Sequence, residues 1–384
     1  MISSLQIRNF RLFDEFELPE LGLVNLFVGK NNSGKSSVLE AVRIWAEQGI
    51  PSTLTTILNS HDENLRLDNP LAGYDDLVFS DSFRHFFPKR QFPSCEGKEI
   101  YIGDKNRQFF VEISHRLVVK QVEEVTDEDG DPIRRVRRIP LNWGESYPDY
   151  DSNDISQALH ITTQNKAFWV ELADPEARQR TFYSPPRRST VPCVYVPTDF
   201  VSSNRLAAMW DGVALTAGQE YPLQALRIIE PKVSGLAFIR RNPEVSVRQD
   251  DRIGIVSIEG HASPIPLASM GDGMTRVLQL VLSLFAARGG VLLLDEFENG
   301  LHYSVHLQVW KLLLRLAKEL NVQVFATTHS QDCVQAFSQA SLEDMETKGF
   351  LYRLARHLVS HLVVATLFSE EKLERFLDSS LEVR

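Results

Sequence analysis

The chain has 384 residues, 43% of them hydrophobic, 24% charged and 9% aromatic, which suffices for one large or two ordinary domains and excludes disordered, collagen-like and coiled-coil proteins. Its 51 acidic residues outnumber its 41 basic ones, and the net charge of −10 excludes a uniformly basic nucleic-acid-binding protein, although not a local basic patch. The N-terminal segment lacks the features of a signal peptide, the cysteines Cys95, Cys193 and Cys333 form no disulfide framework pattern, and no apolar run approaches the roughly 20 residues that cross a bilayer. We therefore expect a cytoplasmic protein that does not associate with membranes.

The first 50 residues predict a strand, a glycine-rich loop and a helix. Residues 1–28 alternate as a strand does and end in the apolar run Leu23–Val28, which predicts a strand buried on both faces. Apolar residues recur at helical spacing from Ser36 to Gln48, and Gly49 stands where a helix C-cap is expected.

The loop between them is a complete GxxxxGK(S/T) motif, which runs from Gly29 to Ser36. Glycines let successive N–H groups point at a phosphate, and the N-terminus of the following helix adds its positive dipole end. Lys35 is expected to reach the terminal phosphates, and the Ser36 hydroxyl to ligate Mg²⁺. The residues expected to contact the nucleotide are Gly29, Lys30, Asn31, Asn32, Ser33, Gly34, Lys35, Ser36 and Ser37.

Residues 51–190 have frequent prolines and no long helical period, and we expect a variable α+β insertion there. Within it, Val118–Glu124 and Ile133–Ile139 predict a hairpin with one acidic and one arginine-rich strand. The two strands form a charge-paired ribbon on a solvated face, or else the arginines contact nucleic-acid phosphate or a partner.

From residue 191 the pattern of a buried core returns. Strands are predicted at Cys193–Val196, Val291–Leu294 and Val322–Ala326, and helices at Leu223–Ile229, Met274–Ala287 and His302–Leu320. The segment Phe350–Phe368 predicts either a strand pair with its turn at His357–His361 or a helix. Alternating helices and apolar strands predict an α/β fold with a mostly parallel sheet, covered by helices on both faces.

Polar residues follow two of these strands. Asp295 and Glu296 come directly after Val291–Leu294, at the edge where open α/β sheets bind ligands. Asp295 is expected to hold Mg²⁺ through water, and Glu296 to orient or deprotonate the attacking water. His329 follows the next strand and is expected to hydrogen-bond the γ-phosphate or that water.

A second candidate anion site is the segment Ser269–Met274, which opens the apolar helix. Ser269, Gly271 and Gly273 can present a hydroxyl and backbone N–H groups at a helix N-terminus. The segment is either a helix cap with a glycine turn or a site for the nucleotide of a second subunit.

In this order, GKNNSGKS, SMGDG, LLLDEFENGLH and the later histidine resemble an ABC-type ATPase head. The likeness is to stand-alone bacterial AAA-family ATP-binding proteins, which are related to the ATPase domain of OLD (overcoming lysogenization defect) nucleases and to SMC-like ATPases. It covers residues 1–50 and 191–384, which would form one ABC-type ATPase domain of mixed, mostly parallel sheet interrupted by the insertion at 51–190.

The resemblance implies ATP and Mg²⁺ as cofactors and gives roles to the motifs. Lys35 and Ser36 belong to Walker A, Asp295 and Glu296 to Walker B, and His329 is the switch histidine. Ser269, Gly271 and Gly273 form the signature that contacts the γ-phosphate of the partner subunit, Asn299–His302 is the loop at the dimer seam, and Arg11 approaches nucleotide phosphate.

The signature departs from LSGGQ because it has an acid, Asp272, and no glutamine, as in this subgroup and unlike transporters. The lobe-linking glutamine is not identifiable, although Thr198–Ser203 occupies about the position of that loop.

The resemblance therefore implies a Mg-dependent ATP hydrolase that works as an ATP-gated homodimeric switch and controls a separate nuclease or toxin effector in antiphage defence. The alternative is a DNA-binding SMC-like ATPase of repair or recombination, which predicts salt-sensitive DNA binding through the arginines Arg134, Arg135, Arg187 and Arg188. A transporter engine is disfavoured by the signature and the insertion, and a nucleotide kinase would need neither SMGDG nor the switch histidine.

Overall fold

The structure is a computed structural model, and it describes residues 1–63, 81–126, 132–142, 155–172, 191–240, 251–344, 349–357 and 362–368 and the single positions 347, 360 and 373. The described strands are β1 (Leu5–Phe10), β2 (Phe13–Leu18), β3 (Val24–Val28), β4 (Ile100–Gly103), β5 (Phe110–Thr126), β6 (Pro132–Pro140), β7 (Ile155–Thr163), β8 (Ala167–Glu171), β9 (Cys193–Val196), β10 (Val233–Arg240), β11 (Arg252–Ile258), β12 (Ile265–Pro266), β13 (Val291–Leu294), β14 (Gln323–Thr328), β15 (Gly349–Arg356) and β16 (Val363–Phe368). The described α-helices are α1 (Lys35–Ala46), α2 (Pro51–Ser60), α3 (Ser203–Asp211), α4 (Glu220–Arg227), α5 (Asp272–Ala286), α6 (His306–Glu319) and α7 (Gln331–Glu343). Within these ranges, no helix is both long and apolar enough to cross a membrane.

The chain divides into two compact units. Unit 1 comprises Met1, Glu20–Leu39 and Thr190–Arg384, and unit 2 comprises Ile2–Pro19 and Glu40–Ser189. This division differs from the expected boundaries at residues 2–19 and 40–50, which fall in unit 2. The helix that follows the glycine-rich loop thus begins in unit 1 and ends in unit 2.

Unit 1 is built on a six-stranded sheet of order β16-β15-β3-β14-β13-β9. All neighbours pair in parallel except β15 and β16, which pair antiparallel. Every residue of β3, β13 and β14 is buried, as expected for central strands with both faces covered. Alternate apolar side chains of these strands share one core with α5, α6 and α7, in which the Trp310 ring stacks on Phe297 with centroids 3.8 Å apart. The predicted α/β fold with a mostly parallel sheet is confirmed.

Most predicted elements of unit 1 lie where the sequence places them. The strands at Cys193–Val196 and Val291–Leu294 have the predicted bounds, and the helix predicted from His302 begins as a 3-10 turn at Tyr303–Val305 before α6. The segment Phe350–Phe368 is a strand pair, and its helical alternative is wrong because β15 satisfies its backbone groups by pairing with β3 as well as β16. Part of the predicted turn at 357–361 lies outside the described residues.

A smaller antiparallel sheet of unit 1, β10-β11-β12, was not predicted from the sequence. Its buried side chains share a second core with α3, α4 and α5. The helix α5, which begins in the segment Ser269–Met274, therefore contributes side chains to both cores of the unit.

Unit 2 is built on a seven-stranded antiparallel sheet of order β2-β1-β4-β5-β7-β8, with β6 paired to β5. Residues 1–28 thus contain a hairpin, β1 and β2, before β3, where the sequence predicted alternation typical of a single strand. The predicted hairpin of β5 and β6 is confirmed, and its turn at 127–131 lies outside the described residues. The register sets Glu123 opposite Arg135 and Glu124 opposite Arg134.

Candidate active site

The glycine-rich loop joins β3 to α1 within unit 1. A Cβ atom on Gly29 would lie 2.4 Å from the Leu354 carbonyl oxygen, and Gly34 has a φ of +99°, so both positions require glycine. The Lys35 ammonium donates to the carbonyl oxygens of Gly29 at 2.8 Å and of Lys30 at 3.1 Å. The loop therefore wraps around its own lysine and forms a concave backbone surface of the kind that binds phosphate.

The charge of Lys35 is set by two opposing effects. Burial lowers the pKa of Lys35, while the carboxylates of Asp295, Glu296 and Glu298 act in the opposite direction. The loop also holds a buried hydroxyl, Ser33 Oγ, that has no hydrogen-bond partner among the described residues. A half-buried ammonium and an unsatisfied hydroxyl suit a bound phosphate anion.

A cavity of about 470 Å³ opens above the loop, lined by Gly29, Lys30, Asn31 and His329. The exposed loop residues Lys30, Asn31 and Asn32 and the half-buried Ser37 complete the predicted set for this site. The structure thus places His329 across the cavity from the glycine-rich loop, although the two are about 300 residues apart in the chain.

Asp295, at the end of β13, accepts hydrogen bonds from three hydroxyls. Ser36 Oγ lies 3.3 and 3.5 Å from its two carboxylate oxygens, the Tyr195 hydroxyl 3.3 Å from Oδ2, and Thr327 Oγ1 2.6 Å from Oδ1. A serine hydroxyl and a carboxylate side by side are the hard oxygen donors that Mg²⁺ prefers, often with substrate phosphates completing the shell. Ser36 and Asp295 therefore fit a magnesium ion.

Glu296 has its main chain held in an uncommon conformation. Its φ is +47°, in the left-handed region that non-glycine residues rarely adopt, and its N–H donates to Thr327 Oγ1 at 2.9 Å. Its side chain is 37% exposed, and its Oε1 lies 3.6 Å from Nδ1 of His329. The carboxylate is thus accessible to a water molecule beside the cavity, as a general base requires.

His329 is held through its backbone by Glu298. The N–H groups of His329 and Ser330 both donate to Glu298 Oε1, at 3.0 and 3.2 Å, and His329 Nδ1 lies 3.4 Å from the same oxygen. Ser330 then caps α7, since its hydroxyl accepts from the Cys333 N–H at 3.3 Å. Glu298 therefore connects the β13 loop to the start of α7.

The signature segment lies beside another predicted contact loop. Gly271 has a φ of +90° and precedes α5, and Ser269 and Gly271 are exposed. A Cβ on Gly273 would lie 3.3 Å from the Gly300 carbonyl oxygen, so the signature abuts the loop Asn299–His302 of the same chain. Asn299 Nδ2 in turn donates to the Thr198 carbonyl oxygen at 2.7 Å, which ties this loop to the segment that follows β9.

The structure thus brings Lys35, Ser36, Asp295, Glu296 and His329 together at the carboxyl edge of the parallel sheet, at the ends of β3, β13 and β14.

Arg11 belongs to unit 2, where other partners occupy it. Its Nε lies 2.5 Å from Glu40 Oε2, and its two terminal nitrogens donate to the Glu63 carboxylate at 2.8 and 3.0 Å. Its guanidinium also lies 5.5 Å from the centroid of the Phe86 ring. The contact of Arg11 with nucleotide phosphate stays a prediction.

Four residues of the site were not given roles by sequence reasoning: Tyr195, Arg276, Glu298 and Thr327. A signal was available for Thr327, because it follows the apolar run Val322–Ala326 at the edge where open α/β sheets bind ligands. No comparable signal marks Tyr195, which contacts Asp295 from a position 100 residues away.

Comparisons with known proteins agree with this geometry. The AAA ATPase domain family model matches residues 1–90, and the model described as AAA domain, putative AbiEii toxin, Type IV TA system matches residues 220–332. The chain is 22% identical to an ATP/GTP phosphatase of Helicobacter pylori, over 99% of this chain and 98% of that protein. It is 27% identical to the DNA replication and repair protein RecF of Staphylococcus aureus over 174 residues, which are 44% of this chain and 45% of RecF.

Among solved structures, the chain is similar to an Smc head bound to the C-winged helix domain of ScpA, at 12% identity, with 97% of this chain and 99% of that chain covered and a TM-score of 0.48. It is also similar to the SMC head domain from Thermotoga maritima, at 12% identity, with 96% and 100% covered and a TM-score of 0.42. The family models and the H. pylori relative confirm the predicted AAA-type P-loop ATPase.

Proposed function

We propose that this ATPase is a Mg²⁺-dependent hydrolase of ATP that works as a homodimeric switch in the cytoplasm. The observation that carries the proposal is the cluster of a loop lysine, a hydroxyl–carboxylate pair and an accessible glutamate beside one cavity. This set supplies the three functions that phosphoryl transfer to water needs: phosphate binding, charge neutralisation and orientation of the nucleophile.

Each residue has a task in the reaction. Lys35 exchanges its two carbonyl partners for the terminal phosphates of ATP. Ser36 and Asp295 would hold a magnesium ion, which would neutralise charge on those phosphates. Glu296 accepts a hydrogen bond from the attacking water and takes its proton, and His329 hydrogen-bonds the γ-phosphate from across the cavity.

Exposed site residues in a single subunit support the proposed dimer. The side chains of Glu296 and His329 are 37% and 51% exposed, and hydrolysis sites work best when water is excluded. Ser269 and Gly271 are exposed at the start of α5 and offer a hydroxyl and N–H groups to an anion. Two copies arranged head to tail would each cover the other's nucleotide with this segment.

The substitution Glu296→Gln tests the mechanism, because it keeps the shape of the side chain and removes the base. We expect turnover to fall at least a hundredfold while ATP drives a stable dimer, measured by sedimentation velocity. Lys35→Ala is the matched control and should lose both ATP binding and the dimer. An active enzyme that stays monomeric at all ATP concentrations would contradict the switch.

We further propose that the switch controls a separate nuclease or toxin in antiphage defence. The resemblance to OLD-family ATPases supports this role, as does the toxin–antitoxin description of the family model at residues 220–332. The test is a phage challenge of cells that express the chain with its neighbouring reading frame. Protection by the wild type and none by Glu296→Gln supports the role; equal plaque counts in both contradict it.

The RecF match favours a second candidate, an SMC-like ATPase that binds DNA during repair or recombination. Arg134 and Arg135 stand opposite Glu124 and Glu123 in the β5–β6 register, and Arg187 and Arg188 lie outside the described residues. DNA affinity that falls steeply with salt, and falls again when these arginines are replaced by alanine, would support this function. Affinity that is unchanged by the four substitutions would count against it.

A further inference from the structure

Arg276 is a buried cation at the centre of unit 1. It lies in the first turns of α5 with none of its surface exposed. Its Nη1 donates to the Pro197 carbonyl oxygen at 2.9 Å, and its Nη2 donates to the carbonyl oxygens of Asp295 at 3.0 Å and Glu296 at 2.9 Å. One guanidinium therefore connects α5 to the ends of two neighbouring strands, β9 and β13.

Burial of the Arg276 guanidinium costs free energy, because the charged group loses its contact with water. Burial lowers the pKa of Arg276, against the influence of the nearby carboxylates of Glu298, Asp295 and Glu296. Its three hydrogen-bond partners are neutral carbonyls, and within the described part of the chain no carboxylate forms an ion pair with it that would offset the loss of water. Arg276 supplies a donor to three carbonyl oxygens of the segments that carry the site residues, so its contribution is to hold those segments in place.

Arg276 contacts the main chain of Asp295 and Glu296, the two acids of the candidate site. Glu296 has a φ of +47°, a conformation that persists only where the surroundings hold it. Its N–H is bound by Thr327 and its carbonyl by Arg276, so both of its peptide groups are fixed. The direction of the Glu296 carboxylate follows from that backbone conformation.

The same helix carries the signature segment. Gly273 precedes Arg276 by three residues, about one helical turn, so a shift of the first turn of α5 moves both. Hydrogen bonds of 2.9 to 3.0 Å weaken steeply when their atoms separate or tilt. Polar atoms of the same helix are also free to form new hydrogen bonds, since the Nε of Arg276 and both amide atoms of the fully buried Gln279 have no hydrogen-bond partner among the described residues.

We propose that Arg276 is a positioning residue that transmits the state of the signature segment to the Asp295 and Glu296 carboxylates of the same subunit. The coupling rests on the proposed function, because it needs a second copy whose nucleotide meets the signature. The positioning of Glu296 does not, since it is a property of one chain. Arg276 touches neither nucleotide nor water in this role; it acts through the main chain of β13.

Arg276→Lys is the informative variant, because lysine keeps the charge but cannot bridge three carbonyls with a planar fork. We expect kcat to fall 10- to 100-fold, with KM and the ATP dissociation constant changed less than threefold. The ATP-driven dimer should persist, but the rise of kcat with protein concentration that the proposed switch predicts for the wild type should be lost. The control is Leu280→Ala, one turn beyond Arg276 in the buried core, which should lower Tm and reduce kcat less than threefold.

Three results would overturn the proposal: a raised KM with unchanged kcat, a kcat loss no greater than that of Leu280→Ala, or lost dimerisation with unchanged turnover per monomer. If the wild type itself never dimerises, the switch fails while the KM and kcat measurements still decide the positioning role. A measurement on unmodified protein covers the case in which Arg276→Lys does not fold. With a non-hydrolysable ATP analogue, amide exchange should slow in residues 272–278 and 294–298 together, and slowing in 294–298 alone would overturn the coupling.

Discussion

Thr327 and Asp295 are joined by a 2.6 Å hydrogen bond between the end of β14 and the end of β13. The same Thr327 hydroxyl accepts the Glu296 N–H at 2.9 Å. The Thr327 side chain therefore acts on both acids. It bonds the carboxylate of Asp295 directly, and it holds Glu296, the proposed base, through that residue's backbone N–H. Because they share this hydroxyl, the positions of Asp295 and Glu296 depend on each other.

Thr327→Val tests the role of this hydroxyl in positioning Asp295 and Glu296, because valine keeps the shape of threonine and removes the hydroxyl. The Asp295 carboxylate loses the hydrogen bond that the Thr327 hydroxyl donates, and a hydrogen bond to a charged group contributes about 1.5–3 kcal/mol of free energy. We expect kcat to fall roughly 10- to 100-fold if this loss is expressed in the transition state. Steady-state kinetics measure it, and Thr327→Ser, which keeps the hydroxyl, serves as control. Wild-type turnover in the valine variant would contradict the role of Thr327.

Glu298→Ala removes the acceptor for two N–H groups at the start of α7. Unsatisfied donors cost about 1–3 kcal/mol, so the free energy of unfolding should fall by that amount, and kcat should fall because His329 loses its anchor. Urea unfolding and turnover are the measurements. Glu343→Ala, at the exposed end of the same helix, removes a surface ion pair with Lys311 and an exposed hydrogen bond from Gln339, and should change the free energy of unfolding by less than about 1 kcal/mol. Equal effects of the two variants would refute the assignment.

Gly271→Ala separates backbone strain from contact with a partner. With φ +90° and ψ 164°, Gly271 occupies a region that is essentially restricted to glycine, and alanine there costs about 1–3 kcal/mol. Gly289, beyond the other end of α5, also has a positive φ, +72°, and like Gly271 has open space around a Cβ. Both alanine variants should lower Tm, but only Gly271→Ala should weaken the ATP-driven dimer in sedimentation velocity. A dimer that is unaffected in both would argue against the signature as a contact.

The stability of unit 2 should depend on pH through His115. This ring is buried, stacks on Phe92 with centroids 3.9 Å apart, and lies 3.3 Å from the Gln157 side-chain oxygen. Burial lowers the pKa of His115 to about 4, from 6.5. The unfolded chain therefore binds a proton that the folded chain excludes, and stability falls as pH decreases from about 6.5 to about 4.

The full loss is about 3 kcal/mol at the lower limit. His115→Phe abolishes this titration, so the wild type and the variant should differ in the pH dependence of urea unfolding between pH 7 and pH 4.5. At pH 7.5 both side chains are neutral, and that measurement provides the reference for packing changes. Parallel pH curves for the two proteins would show that His115 does not bear the effect.

The elements around the site that the sequence predicts correctly are local ones. The strand Val291–Leu294 is a continuous apolar run that ends in two acids, and the glycine-rich loop lies between a buried strand and a helix. Such patterns depend on neighbours within one element, and strand burial and helical periodicity report them well. The alternation in residues 1–28 predicted strand structure but did not locate the hairpin of β1 and β2, whose turn occupies only Arg11 and Leu12.

The sequence by itself therefore predicted the candidate chemistry, namely which residues would cradle a phosphate and which acids would hold a metal or activate water, and it determined that a parallel sheet carries them. Only the tertiary structure decided how these groups are held. Ser36 meets Asp295 across 259 residues of chain, and the carbonyls of Asp295 and Glu296 meet the buried guanidinium of Arg276. The physical reason is that hydrogen bonds between ends of different strands and helices depend on sheet order and register, which no local pattern encodes.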